Sequence, residues 1–297
     1  MANDLPILQA DPPHPPEASE KADGPTAERK QGLLRDTLSS LVADGVLVAF
    51  SGGMDSAFLL WAASQLREGG QGRVIALTTI SPSLPAHDKE DAEEFSRFLN
   101  VEHRWEESGE TLIPDYSRND RERCYHCKTE LFRIARQVAA DYDLPWILYG
   151  YNASDHLDDR PGHRAALEAG ALTPLSDAGL TKPEIGYLMK KAGVPLSTKP
   201  ASPCLSSRIM TGIEITPHRL RDVDEMEGIL REAGVTSMRV RICRDEGGAF
   251  FVRVESPPEE MGMVLACREK LQKEGTARGY RWVTLDLGGY RTGGGVS

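Results

Sequence analysis

Apolar positions along the chain follow two periods, and the switches between them predict its elements. Leu33, Leu34, Leu38 and Leu41 recur at helical spacing, which predicts a helix over about 27–42. The next run, Val46-Leu47-Val48-Ala49-Phe50, has no polar interruption, as a strand buried on both faces would read. A helical pattern returns from Ala57. Residues 74–78 predict a second strand, 86–99 a helix and 101–105 a short strand. Cys124-Tyr125-His126-Cys127 stands just before a helix marked by Leu131, Ile134, Ala135 and Val138, and 146–150 is another apolar strand. Alternation of this kind predicts an α/β domain, a parallel sheet with helices on both faces. Ligands of such sheets gather outside the carboxyl ends of the strands.

Residues 151–180 read as polar and loop-rich, a length that suits binding. Thr181 and Glu184 form a capping-box pattern that opens a helix to about Ala192, and 199–208 is a further loop. The rhythm then changes to a helix over 217–233, strands over 238–244 and 250–255, a helix over 258–274 and a strand over 280–287. This predicts a separate small α+β domain. The expected division is a disordered tail at 1–26, an α/β domain at 27–208 and an α+β domain at 209–297.

Charge and composition narrow the partners. The net charge of −10 argues against a general electrostatic grip on nucleic acid. No apolar run approaches the roughly 20 residues of a membrane span, and a signal-peptide pattern is missing at the N-terminus. A cytoplasmic location is expected, and there the five cysteines read as thiols, metal ligands or catalysts rather than disulfides.

Candidate chemistry begins at Ser51-Gly52-Gly53-Met54-Asp55-Ser56, between strand and helix. Backbone N–H groups, hydroxyls and the positive end of a helix converge there, which suits a phosphate. The alternative is a strand-to-helix turn with no ligand. A Walker A loop would carry a Lys and longer glycine spacing. The segment instead resembles the PP-loop of enzymes that split ATP into AMP and pyrophosphate. Without a loop Lys, Mg²⁺ is expected to neutralise the phosphates, with Asp55 as a candidate ligand.

Cys124 and Cys127 form a C-x-x-C pair whose readings include buried thiols, a redox dithiol and half a zinc site. Cys204, in a Pro- and Ser-rich loop, adds a third thiol. If the three converge at the sheet edge, they suit three irons of a 4Fe–4S cluster, with the fourth iron open to an exogenous sulfide. His126, between the two cysteines, is poorly placed for the same ion. Cys267 reads as packing, and Cys243 as a neighbour of a site rather than a ligand. Arg239 and Arg241 share one strand face, a fork for phosphate or carboxylate if it is not simply solvated. Arg253 and Glu255 share a face on the next strand, and Asp155, Asp158, Asp159 and Arg160 form a charged loop.

Together these segments resemble the LarE-type ATP-dependent sulfur transferases, which act in nickel-pincer cofactor biosynthesis. The resemblance is carried by Ser51 to Ser56, Asp159-Arg-Pro-Gly162 with Glu168-Ala-Gly170, and Lys199-Pro-Ala-Ser-Pro-Cys204-Leu-Ser-Ser-Arg208. It continues through Arg239-Val-Arg241, Arg253-Val-Glu255 and the stretch from Thr284 to Gly293. Met210-Thr211-Gly212 departs from the more usual Pro-Tyr-Gly. The resemblance implies that ATP adenylates a carboxylate of a pyridinium mononucleotide dicarboxylate, and that sulfur then displaces AMP to leave a thiocarboxylate. It implies ATP contacts at Ser51, Gly52, Gly53, Asp55 and Ser56, and catalytic roles for Asp55, Cys204 and Glu227. Substrate contacts fall at Arg208, Arg239 and Arg241, and cluster ligation at Cys124, Cys127 and Cys204. Members without the C-x-x-C pair give up the sulfur of the residue matching Cys204; members with it resemble cluster enzymes fed by a sulfide donor. Family members can be oligomeric. Competing functions are tRNA thiolation, ammonia-dependent amidation of the NAD synthetase type, and nucleotide sensing without turnover.

Overall fold

The computed structural model describes residues 22–67, 72–157, 161–197, 199 and 202–290. The expectations for Asp158, Asp159, Arg160 and most of the N-terminal tail lie outside the described residues. Helix α1, Gly24–Asp44, starts three residues earlier than the pattern predicts, because Pro25 is tolerated in a first helical turn.

Four parallel strands form the larger sheet: β1 (Val46–Ala49), β2 (Val74–Ile80), β3 (Glu102–Glu107) and β4 (Trp146–Tyr149), in the order β3-β2-β1-β4. Alternate side chains separate two cores. Val46, Val48, Val74 and Ala76 pack with α1, α2 (Met54–Ser64), α3 (Ala86–Phe98) and α8 (Lys182–Lys191). Leu47, Ile75, Leu77 and Ile147 face α5 (Arg123–Asp141) and α6 (Pro161–Glu168). Apolar residues at every position of β1 therefore serve two faces at once, which is why the run lacks polar breaks. The chain leaves β1 toward β2 and β3 on one side and returns as β4 on the other. That makes the β1/β4 edge a topological switch point. Ala49 and Tyr149 are in register, so Phe50 and Gly150 emerge there side by side.

A three-stranded sheet, β5 (Arg239–Arg244), β6 (Phe250–Glu255) and β7 (Val283–Leu285), carries a third core with α9 (Pro217–Glu232), α10 (Met261–Ala266) and α11 (Arg268–Ala277). This core also takes in Tyr116 from α4 (Pro114–Ser117) and Leu205 and Ile209 from the loop after α8. The smaller sheet is thus anchored on segments that flank the cysteines.

Three local readings are corrected. The stretch 151–180 holds a 3-10 turn at Ala153–Leu157, α6 and α7 (Pro174–Asp177), because prolines open both helices and Ala165 and Ala166 are small enough to bury. The single helix expected over 258–274 breaks at Cys267 into α10 and α11, and Gly275 of α11 lies so close to Val283 that a Cβ would not fit there. The last strand is shorter than expected, since only three residues meet β6 and the Tyr280 hydroxyl turns to Asp222 at 2.6 Å. The α8 capping box forms as read, with the Thr181 N–H donating to Glu184 at 2.8 Å. Among the described residues no helix is long and apolar enough to cross a membrane.

Candidate functional site

The loop from Ser51 to Ser56 closes on itself through its serines. The Ser56 hydroxyl receives the Ser51 N–H at 3.2 Å and donates to the Gly53 carbonyl at 3.0 Å. Gly52 sits at φ +71°, where an added Cβ would lie 3.1 Å from the Asp88 carbonyl, so the turn requires glycine. Gly150 is needed for a different reason. A Cβ there would lie 2.8 Å from the Ser56 nitrogen, because the end of β4 passes directly against the start of α2.

Cys124 and Cys127 are the second and fifth residues of α5, inside the helix rather than before it. The helix start is held to the Cys204 loop by buried polar bonds. The Asn119 amide donates to the carbonyls of Ile209, Met210 and Ile213 at 3.2, 3.0 and 2.9 Å. The Arg123 guanidinium donates to the Asn119 side-chain oxygen at 2.6 Å and to the Ser206 carbonyl at 3.2 Å. The hydroxyls of Tyr116 and Ser206 share a further bond. Segments far apart in sequence are thereby brought to one place.

A cavity of about 300 Å³ joins the two regions. It is lined by Ser51, Gly53, Asp55 and Ser56 from the loop, by Thr78 and Gly150 from the sheet edge, and by Cys127, Lys128 and Cys204. Cys124 is exposed beside it, with its sulfur 3.9 Å from the Arg123 guanidinium. Burial pushes the Cys127 thiol up to about 12, against the opposing charge of the neighbouring Lys128. Burial works against the Arg123 charge, but the Cys204 and Cys124 sulfurs outweigh it and hold its pKa above the ordinary value. Among the described residues, no three His, Cys, Asp or Glu side chains are grouped so as to hold one metal ion.

The arginines lie next door. Arg208 is buried and pairs with Glu227 through two bonds of 3.0 and 3.2 Å, while also donating to the carbonyls of Pro203 and Cys204. Glu227 also accepts the Val240 N–H at 3.1 Å. Both residues line a second cavity of about 330 Å³ with Lys199, Arg231 and Arg239. Arg239 donates to the Tyr290 hydroxyl at 3.2 Å, and burial together with nearby Arg208 lowers its pKa. Arg241 is 2.6 Å from Glu255, donates to the Ser207 carbonyl at 3.0 Å, and faces a third, smaller cavity with Cys243 and Arg253. The strand face carrying both arginines is therefore buried, not solvated.

No known protein-family profile matches the chain. It is 35% identical over 268 residues to an uncharacterised protein of Synechocystis, covering 90% of this chain and 96% of that protein. It is 30% identical over 254 residues to the pyridinium-3,5-bisthiocarboxylic acid mononucleotide synthase of Lactiplantibacillus plantarum, a LarE protein, covering 84% and 87% of the two chains. The chain belongs to the LarE family. An uncharacterised protein of Methanocaldococcus jannaschii is 25% identical over 83% of this chain and 91% of its own.

In this LarE-family chain the polar residues that assemble the site carry no motif of their own. Asn119, Arg123 and Tyr116 look like ordinary surface or helix residues in the sequence, and only their burial reveals the clamp. Asn119 has one legible signal: it adopts φ +57°, a conformation that Asn tolerates better than most residues. Lys199 is the other omission. It binds Asp88 and Asp91, each at 2.7 Å, and donates to the Gly52 carbonyl at 3.1 Å, tying the loop before Cys204 to the phosphate loop.

Proposed function

We propose that this protein is an ATP-dependent sulfur transferase acting on a pyridinium mononucleotide dicarboxylate, the substrate class that the L. plantarum relative's product name implies. The observation that carries the reading is the shared cavity, in which the loop from Ser51 to Ser56 faces Cys127 and Cys204. A carboxylate resists acyl transfer until its oxygen becomes part of a good leaving group. Attack of that oxygen on the α-phosphate of ATP breaks the bond to pyrophosphate and gives an acyl adenylate. A sulfur nucleophile then forms the C–S bond as AMP departs. The N–H groups at the start of α2 stabilise the charge that develops on pyrophosphate. Mg²⁺ held at Asp55 would add positive charge at the same oxygens.

The buried arginine face supports the substrate assignment. Arg239 and Arg241 lie in adjoining cavities close to the Cys204 loop and suit the phosphate and free carboxylate of the mononucleotide. Arg208, paired with Glu227 and donating to the carbonyls of Pro203 and Cys204, holds that loop in place.

Cys127 and Cys204 line this cavity and Cys124 precedes Cys127 on the same helix, and these three are the residues that would hold a 4Fe–4S cluster. A single zinc ion would need every thiolate about 2.3 Å away. When bound, the cluster would leave one iron without a protein ligand, a place for the sulfide that is transferred. Sacrificial loss of sulfur from Cys204 is the second reading, favoured by the exposure of its thiol. The protein purified anaerobically is expected to contain iron and acid-labile sulfide. It is expected to release pyrophosphate only when ATP, Mg²⁺ and the mononucleotide are all present. Sulfur found in tRNA instead, or full activity in Cys204→Ala, would overturn the assignment.

A further inference from the structure

The phosphate loop has no lysine of its own, yet its cavity holds one. We propose that Lys128, delivered from the second turn of α5, is the cation that binds the phosphate oxygens of ATP and of the departing pyrophosphate. The inference rests on the reading that ATP occupies this cavity.

Lys128 lines the same cavity as Ser51, Gly53, Asp55 and Ser56. It is largely covered by its neighbours, and what remains open lines the cavity. Among the described residues no carboxylate pairs with it. The ammonium sits 5.0 Å from the centre of the Tyr149 ring. Tyr149 ends β4 in register with Ala49, the residue at the end of β1, so the charge stands over the switch point beside the phosphate loop.

The other lysine near the loop is already engaged. Lys199 is bound by Asp88, Asp91 and the Gly52 carbonyl. A charge in a cleft without a counter-ion is unfavourable, and a ring face offsets only part of that cost. A triphosphate in the cavity would supply that counter-ion. An ammonium is a point charge well suited to phosphate oxygens, and no bidentate geometry is required of it.

The surroundings also aim the side chain. An added Cβ at Gly162 would come within 3.0 Å of Lys128 Cγ and 3.3 Å of the Cys124 carbonyl. The missing side chain at Gly162 therefore lets α6 press against the lysine stem and direct it inward. This gives a physical reason for glycine in the Asp-Arg-Pro-Gly segment.

The test is ATP–Mg²⁺ affinity by calorimetry on the full chain, together with pyrophosphate release and sulfur incorporation. Lys128→Gln is expected to weaken ATP binding by about tenfold or more, Lys128→Arg to recover most of it, and Gly162→Ala to weaken it less. If Lys128→Gln does not fold, as judged by thermal melting, Lys128→Met keeps the apolar stem and repeats the measurement. Unchanged ATP affinity in the uncharged variants overturns the inference. So does retained pyrophosphate release with loss of sulfur incorporation, which would place the ammonium on the sulfur side. Failure of the wild-type protein to bind ATP would instead sink the reading of the cavity itself.

Discussion

The two ends of the cavity are built in opposite ways. At the phosphate end, six consecutive residues form a turn from backbone N–H groups and short hydroxyls, and glycines at 52 and 150 permit close approach. At the sulfur end, two helical cysteines and one loop cysteine come from distant segments, and Asn119, Arg123, Tyr116 and the Arg208–Glu227 pair hold them together. The first end depends on local chain geometry, and the second on buried polar bonds made across the fold. Their sensitivity to mutation should differ accordingly.

The sharpest break is Cys204→Ala. Thiocarboxylate formation is expected to fall by roughly a thousandfold or more, the scale for removing a group that acts on the reacting atom. ATP affinity should stay within about twofold of wild type, a change of less than about half a kcal/mol. Parallel loss of both would mean that the two ends are one unit. Next comes Glu227→Ala, which leaves the buried Arg208 charge unpaired and should cost about 3–5 kcal/mol in denaturant unfolding. The double variant Arg208→Met with Glu227→Leu should lose less stability, because no charge is then stranded.

At the phosphate end, Gly150→Ala forces β4 away from the start of α2 and should weaken ATP binding by about tenfold. Its effect on metal content should be slight. The smallest effect concerns thiol reactivity. Burial raises the Cys127 thiol to about 12, so its thiolate is scarce at pH 8 and appears only as the pH climbs toward that value. In metal-free protein, alkylation of Cys127 should run at least about tenfold slower than that of the exposed Cys124 and Cys204. The gap should narrow as pH rises. Mass spectrometry of the three peptides measures it.

The same contrast explains what could be read from the sequence. The turn from Ser51 to Ser56 was legible because it is made of contiguous residues between an apolar strand and a helix. The parallel sheet followed from uninterrupted apolar strands such as Val46 to Ala49, whose side chains serve both cores. The cysteines were visible as chemistry, but their meeting place was not, since Asn119 and Arg123 act through pairings more than 80 residues away. The arginines on β5 looked like a solvated face because alternation alone does not reveal that Glu255 and Ser207 cover Arg241. Polar stretches such as 151–180 misled for a related reason: short helices opened by proline and buried through alanine leave little apolar signal.

The central claim is that activation by ATP and sulfur delivery share one cavity. A single turnover tests it most directly: anaerobically reconstituted protein is given labelled sulfide, ATP, Mg²⁺ and the pyridinium dicarboxylate mononucleotide. The account predicts labelled thiocarboxylate and AMP in equal amounts, with the mass at Cys204 unchanged. Unlabelled product with Cys204 lighter by one sulfur would replace cluster delivery with sacrifice of the cysteine. Labelled product without AMP would contradict the claim itself.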